Sequence, residues 1–413
     1  MNFQTILLPT DLLVFALILA VLILAAQATR RAPSREAWRR LGRRPAAMAA
    51  ASLLLAFAFF GFLDSLHYRE PLPPGPDAAA QTRYSSEVLS ALDALLAPLR
   101  LQTEKTYSAP FARELFQRET VERPGGGQER IYPRLAYGAR HLQAGDSLLV
   151  DVARRLVWTP FAALAASALP LLALAATIAR GGRCRLGVAI RRILAGHTNL
   201  AWRTALAVFF LVALLMAAGA ALAPHYHLLG TDKVGQDVLY LSLKSVRTGL
   251  VIGALTTLIM LPFAVALGIA AGYLGGWVDD AVQYLYTVLN SIPSVLLIAA
   301  SVLMMQVTID THPQWFDTAA QRADARLLAL CAILGITSWT GLCRLLRGET
   351  LKLRELDYVQ AARAFGASTP VILRRHILPN VMHIVLITVV MDFSGLVLAE
   401  AVLSYVGIGV DPG

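Results

Sequence analysis

The chain has 413 residues, of which 56% are hydrophobic and 15% charged, and its mean hydropathy is +0.58. Soluble domains rarely combine such values, so an all-α polytopic membrane protein is expected. The formal charge of +10 does not mark a nucleic-acid binder, because the arginines cluster beside apolar runs, as they do in cytoplasmic loops. The three cysteines, Cys184, Cys331 and Cys343, form no CxxC or other metal spacing and imply neither a disulfide nor zinc.

A membrane span needs roughly 20 mostly apolar residues. In chain order the predicted spans are 12–28, 46–63, 157–179, 203–222, 246–274, 282–307, 327–346 and 381–407. The first ends in Ala26-Gln27-Ala28, which resembles a signal cleavage site, but no Lys or Arg precedes it. A secretory signal wants a basic n-region, so an uncleaved span with its N-terminus outside is expected. Arginines mark three inside segments, at 30–44, 180–203 and 344–375. Strict alternation then places 64–155, 223–244 and 308–326 outside, and the turn Gly275-Gly276-Trp277-Val278-Asp279 inside.

Four regions follow. Residues 1–63 carry two spans and a basic inside loop. Residues 64–155 form an extracytoplasmic insertion that opens on EPLPPGPD and breaks again at Pro124–Gly127. Val88, Leu89, Leu92, Leu95, Leu96 and Leu99 recur there at helical spacing. The insertion is therefore read as mostly helical, either a small subdomain with a role of its own or a solvated addition that packs on the rest. Residues 156–199 hold a third span and a second basic loop, and 200–413 hold the remainder. The chain stops at Gly413, just after a span, so a last span beyond it is one reading of this end.

Within the spans, Gly268 and Gly272 form a small-xxx-small pair that lets helices approach closely. Pro262 and Pro293 are expected kinks, and either is a hinge or a packing irregularity. Asp392 falls near the middle of the last span, where a carboxylate costs about 2.5–3.5 kcal/mol on insertion scales. Glu400 lies eight residues on, on roughly the same face. Asp392 and Glu400 either line a translocation path or serve structure, Asp392 by pairing with a neighbouring subunit. His225 and His227 form an HxH pair, but two imidazoles without a third ligand make a poor metal site. No metal site is expected.

The segment 355–380, ELDYVQAARAFGASTPVILRRHILPN, is polar and basic between two apolar runs. It cannot sit in hydrocarbon and must protrude. Its small residues Ala361, Ala362, Ala364 and Gly366 offer a surface another protein can approach closely. Pro370 disfavours helix at Thr369. The helix before the break would be about two turns long, too short to stand alone, so it should be held by docking.

From about Leu200 onward several motifs resemble those of the dipeptide/oligopeptide/nickel permeases of ABC importers, in particular their C-type subunit. They are His227-Leu228-Leu229-Gly230-Thr231-Asp232 with Gly235 and Asp237-Val238; Gly272-Tyr273-Leu274-Gly275-Gly276-Trp277-Val278-Asp279; and Ile292-Pro293. Arg344, Arg347 and Gly348-Glu349 lead into the protruding segment, with Tyr358, Gln360, Ala361, Ala362 and Gly366, then Ile377-Leu378-Pro379-Asn380. Leu403-Ser404-Tyr405-Val406-Gly407-Ile408-Gly409 closes the series. Each piece alone is weak; six in order over half the chain are specific. Gln360 stands where the family usually has Glu, which removes a carboxylate from the ionic contact the resemblance implies for the coupling loop; Gln236 stands where the family often has Arg. The resemblance says nothing about residues 1–199.

The resemblance implies a type I importer permease fold for 200–413, in a multi-pass protein of the bacterial inner membrane. It implies no catalysis by this chain and no cofactor bound to it. ATP and Mg would sit on two separate ATPase subunits that grip Tyr358, Gln360, Ala361, Ala362, Gly366, Ile377, Leu378 and Pro379. A second permease subunit and an extracytoplasmic substrate-binding protein would complete the assembly, within a lipid bilayer and without nucleic acid. The chain lacks the G-x-x-x-x-G-K-[ST] phosphate loop, in keeping with a separate motor. It also lacks HExxH or a nucleophile–base pattern for an intramembrane enzyme, and shows no inverted repeat of a secondary transporter. Di- or oligopeptides are the expected substrate, with nickel, metal chelates or glutathione-like compounds as the alternative.

Overall fold

The computed structural model describes residues 4–30, 32–71, 84–122, 128–143, 145–182, 184–316 and 318–405. Among these, eight helices are long and apolar enough to cross a membrane. They are Pro9–Gln27, Pro45–Asp64, Leu148–Gly182, Trp202–Leu222, Val238–Leu274, Ser294–Thr311, Ala319–Arg354 and Thr369–Tyr405. All eight coincide with or overlap the predicted spans. The C-terminal end, where a last span beyond Gly413 was one reading, and most of the LSYVGIG motif lie outside the described residues.

The chain divides into two compact units. The first to be described comprises Phe15–Tyr68 and Leu89–Arg247. Helix α1 (Pro9–Arg30) enters it, followed by α2 (Ala32–Arg43) and α3 (Pro45–Asp64). Pro45 opens α3 in the first turn, where its missing N–H has no partner to lose. Strands β2 (His67–Arg69) and β3 (Leu89–Ser90) pair antiparallel, Tyr68 opposite Leu89; a short strand β1 (Gln4–Ile6) lies near the N-terminus. Two five-residue helices follow, α4 (Ala91–Leu95) and α5 (Ala97–Leu101), then the hairpin β4 (Glu119–Glu122) and β5 (Gln128–Ile131). Helices α6 (Leu148–Leu156), α7 (Thr159–Gly182), α8 (Leu186–Leu194) and α9 (Trp202–Leu222) complete it. Helix α9 packs against both α3 and α7.

The insertion 64–155 is thus a correction to expectation. Its described part is mainly loops, short strands and single-turn helices. Ser90 caps α4 through a reciprocal pair with Asp93, so Leu89 and Ser90 are extended and the helix cannot begin before Ala91. The leucine spacing arises because Leu92 of α4, Leu99 of α5 and Leu96 between them all reach one apolar cluster with Tyr240 and Ala223.

The second unit contains Thr248–Gly413 with Met1–Val14 and Arg69–Val88. It holds most of α10 (Val238–Leu274), then α11 (Gly276–Ser291), α12 (Ser294–Thr311), α13 (Ala319–Ser338), α14 (Thr340–Arg354), α15 (Asp357–Ala364), α16 (Thr369–Ile372) and α17 (Leu378–Tyr405). A single π-turn, Leu373–Ile377, joins α16 to α17. The predicted span 282–307 is two helices: Ile292 is extended and Pro293 starts α12. Proline has no N–H to continue the α11 ladder, so the break falls where the sequence placed it. Helix α10 runs through Pro262 without interruption.

Two glycine pairs on α10 set its neighbours. A Cβ on Gly268 would lie 2.7 Å from the Cys343 carbonyl oxygen, and one on Gly272 2.7 Å from that of Arg347. These helices therefore touch backbone to backbone. Gly253, four residues after Gly249, takes the Phe393 ring of α17 in the same way, at 2.4 Å from a virtual Cβ. Gly272→Leu is expected to cost about 1–3 kcal/mol by overpacking. It should lower the melting temperature of the purified full chain in detergent. Gly348→Ala on α14, where an added Cβ meets nothing within 4 Å, should leave it unchanged or slightly raised.

Candidate functional site

The protruding segment stands on a foundation of three aliphatic side chains. Val359 of α15, Ile372 of α16 and Ile377 of the π-turn are buried with Leu342, Leu346 and Leu353 of α14 and Val381 of α17. Burying each contributes roughly 1.5–3 kcal/mol. The eight-residue helix α15 is therefore held by its own chain, which corrects the expectation that docking to a partner holds it. Ile377, read from sequence as a contact residue, lies fully inside this core and Leu378 is half-buried against it.

The end of α15 is shaped by Gly366. Its φ is +80°, a left-handed conformation that a side chain disfavours. Gly366 N–H donates to the Arg363 carbonyl at 3.0 Å and Ala367 N–H to that of Ala362 at 3.0 Å, satisfying the last carbonyls of the helix. Nothing lies within 4 Å of a virtual Cβ, so the glycine is required by its dihedral and not by close approach within this chain. Thr369 is the first residue of α16, contrary to the reading from Pro370; the extended residue is Ser368, and Pro370 occupies the first turn, where it fits.

Exposed residues of the segment include Tyr358, Gln360, Ala361, Ala364, Phe365, Gly366 and, after the break, Pro379. Ala362 is half-buried. Phe365 is 91% exposed, a large aromatic group in water at the tip of the segment. The sequence reading passed over it; its signal was an aromatic residue directly before the helix-ending glycine. Gln360 donates to the backbone carbonyl of Glu355 at 3.3 Å. Asn380 bridges the segment's two ends, donating to Tyr358 Oη at 3.0 Å and to the His376 carbonyl at 2.6 Å. A cleft of about 830 Å³ opens beside α15, lined among others by Tyr273, Arg354, Gln360, Arg363, Ala367 and Thr369.

Arginines of α14 carry the segment's base to the neighbouring helices. Arg347 donates from Nη2 to Asp279 Oδ2 at 2.6 Å and from Nε to Oδ1, a bidentate pair. The Arg347 hydrogen bonds hold the Asp279 carboxyl below the usual carboxylate range. Arg344 lies over the Tyr286 ring at 5.9 Å, and Arg354 donates to the Gly272 carbonyl at 3.3 Å. The motif residues Gly272, Asp279 and Arg347, scattered in sequence, thus meet at one point.

The other sequence-derived residues lie apart from this face. Asp392 is half-buried on α17 with no hydrogen bond or ion pair among the described residues. Glu400, also half-buried, accepts from Ser404 Oγ at 2.7 Å. His225 and His227 do not share a site. His225 meets His141 edge to face at 5.3 Å. His227 is buried between Asp237, at 2.7 Å from Nδ1, and Glu104, at 3.3 Å from Nε2. No group of three or more metal-ligating side chains occurs among the described residues.

The HLLGTD motif is a clamp for the insertion. Asp237 caps α10, accepting from Leu239 N–H at 2.8 Å while holding His227. Asp232 closes the turn through Val234 and Gln236 N–H. Gly230 and Gly235 have φ near +80°, and a Cβ on Gly235 would lie 1.8 Å from the Glu104 carbonyl oxygen. Glu104 accepts from the N–H groups of Ala136, Tyr137 and Gly138 at 2.8, 2.8 and 3.1 Å. Burial raises its pKa, but the His227 and backbone hydrogen bonds outweigh that and hold it at about 2. For His227 burial opposes the charge, yet hydrogen bonds to Asp237 and Glu104 lift it to about 9.

The pH dependence follows with opposite signs. The His227 contribution is complete below its ordinary 6.5 and is lost as pH rises through about 9. That of Glu104 is complete above 4.5 and is lost as pH falls towards about 2. Protease protection of the insertion should therefore be greatest between about 4.5 and 6.5 and decline on both sides. Glu104→Ala, which strands three N–H groups and a buried imidazolium, should cost roughly 3–5 kcal/mol of that protection.

Comparison with known proteins places these features. Residues 264–412 match the family described as the binding-protein-dependent transport system inner membrane component. The oligopeptide transport system permease protein OppC of Mycobacterium tuberculosis is 31% identical over 186 residues, 45% of this chain and 58% of that protein. The dipeptide transport system permease protein DppC of Bacillus subtilis is 29% identical over 184 residues, 45% of this chain and 52% of its own length. The glutathione transport system permease protein GsiD of Pectobacterium atrosepticum is 31% identical over 186 residues, 45% of this chain and 56% of that protein. The chain thus spans little more than half the length of the curated relatives it matches.

Proposed function

We propose, on the premise that residues 264–412 are a domain of the inner-membrane components of binding-protein-dependent transport systems, that this chain is a C-type permease subunit of an ATP-driven importer. The single observation that carries the reading is the exposed face at Tyr358–Gly366, rigidly founded on α14 and α17 and crowned by Phe365. An aromatic side chain so exposed on a well-supported helix is the kind of group that anchors a partner. In this reading the partner is one of two ATPase subunits, which hold ATP and Mg. The chain itself does no catalysis. Closure of the ATPase pulls α15; Val359 passes the displacement to α14, and the Arg347–Asp279 pair passes it to α11. The break at Ile292-Pro293 lets α11 and α12 respond separately.

A second permease subunit completes the pore, and an extracytoplasmic binding protein delivers substrate, in the inner membrane of a bacterium. Di- or oligopeptides are the proposed substrate, supported by the names of two relatives. The likeness to a glutathione permease supports a second reading, a glutathione-like substrate.

Phe365→Ala removes the exposed ring without touching the core. It should leave the melting temperature unchanged and weaken association with the cognate ATPase by at least about tenfold, the scale of a lost aromatic anchor. Pull-down titration with the purified ATPase measures this; undiminished binding would reject the docking role.

Asp392, half-buried and without a partner among the described residues, is proposed to line the route and attract a cationic group such as a peptide amino terminus. Asp392→Asn should slow uptake of peptides with a free amino terminus and spare their N-acetylated forms. Equal uptake of both at wild-type levels would sink that role.

A further inference from the structure

Two arginine-rich segments belong to the unit that the family match does not reach. Between Arg30 and Arg44 stand seven arginines and one acid, Glu36; between Arg180 and Arg203 stand six arginines and no acid. Neither segment contains a lysine. The sequence separates them by well over a hundred residues, and the fold joins them. The Ala201 N–H donates to the Gly42 carbonyl at 2.8 Å, and Gly42 lies so close to Leu200 that a Cβ would meet its Cδ2 at 2.8 Å. Helix α2 and the loop that follows α8 therefore share one face, where α1, α3, α7 and α9 end.

Both short helices are amphipathic. Ala189 and Ile193 of α8 are buried against α7 and α9. Leu186, Val188 and Leu194 remain exposed, as do Trp38 and Leu41 of α2. Arg39, Arg43, Arg44, Arg185, Arg191 and Arg192 are exposed and have no acidic partner among the described residues. Arg40 is tied to Glu36, at 3.3 Å. Apolar side chains interleaved with guanidinium groups, at the level where membrane helices end, match a helix lying in the headgroup layer. A guanidinium offers a planar fork of donors that fits phosphate bidentately, which an ammonium does not.

We infer that α2, α8 and their flanking arginines form one binding surface for anionic phospholipid headgroups. Position and charge both select this occupant. The apolar residues need acyl chains beside them, and the arginines need phosphate. A nucleic acid or a free polyphosphate satisfies the second requirement alone.

The test uses the full chain in nanodiscs containing phosphatidylcholine and phosphatidylglycerol, extracted gently and read by native mass spectrometry. The wild type should retain phosphatidylglycerol in preference to phosphatidylcholine. Replacing Arg39, Arg43, Arg191 and Arg192 together by Gln should reduce that preference by at least about tenfold. The same number of charges removed from the outer insertion, at Arg113, Arg118, Arg130 and Arg140, should leave it intact. All four inner positions are exposed, and an unchanged melting temperature would show that the variant folds. The inference is overturned if the wild type shows no preference, or if the inner variant keeps it. It is equally overturned if inorganic polyphosphate, added to the wild type, displaces the phosphatidylglycerol completely, since the surface would then recognise phosphate without acyl chains.

Discussion

The approach of α10 to α14 governs the half of the domain that carries the protruding segment. Gly268 and Gly272 have no side chain to hold the helices apart, so backbone meets backbone at Cys343 and Arg347. In hydrocarbon there is no hydrophobic force between helices, and close packing of this kind is what holds them. Once the two run so near, Arg354 reaches the Gly272 carbonyl and Arg347 reaches Asp279 across the following turn. The same contact fixes where α14 ends, and so where the protruding segment begins. A bulkier residue at either glycine would move the segment's foundation as well as the span.

The end that carries the insertion is organised by charge instead of by close packing. His227, Asp237 and Glu104 are buried together, each satisfied by at least two partners. Removing any one would strand the others, which makes the cluster costly to break. Glu104 belongs to the insertion and His227 to the HLLGTD motif, so the added segment is welded to the start of α10. The pairings within each unit join segments that charge alternation puts on one side: Glu104 with His227, Gly42 with Ala201, Asp279 with Arg347.

Hydropathy made the spans legible because roughly 20 apolar residues in a row have few alternatives. The break at Pro293 was legible because proline removes a donor wherever it stands. The insertion was misread for a physical reason. Strands of two to four residues are too short for a two-residue period to show, whereas Leu92, Leu96 and Leu99 mimic a helix while serving two. In the protruding segment, the sequence pointed to a surface but not to its orientation. Ile377 looked like a contact and is core; Phe365 drew no reading at all and is the most exposed large side chain of the segment. The Gly249–Gly253 pair escaped notice because only the fold brings Phe393 onto it. The positive φ of Gly366 was not legible, since it appears only in the folded backbone.

The account stands on α15 being the inward-facing handle by which a separate motor moves these helices. A photo-crosslinking amino acid in place of Ala361, on the exposed face of α15, tests this in intact cells. The account predicts a single dominant adduct with a nucleotide-hydrolysing subunit, strengthened when ATP is trapped there. An adduct with an extracytoplasmic protein, or labelling of that position by a reagent that cannot cross the membrane, would contradict it.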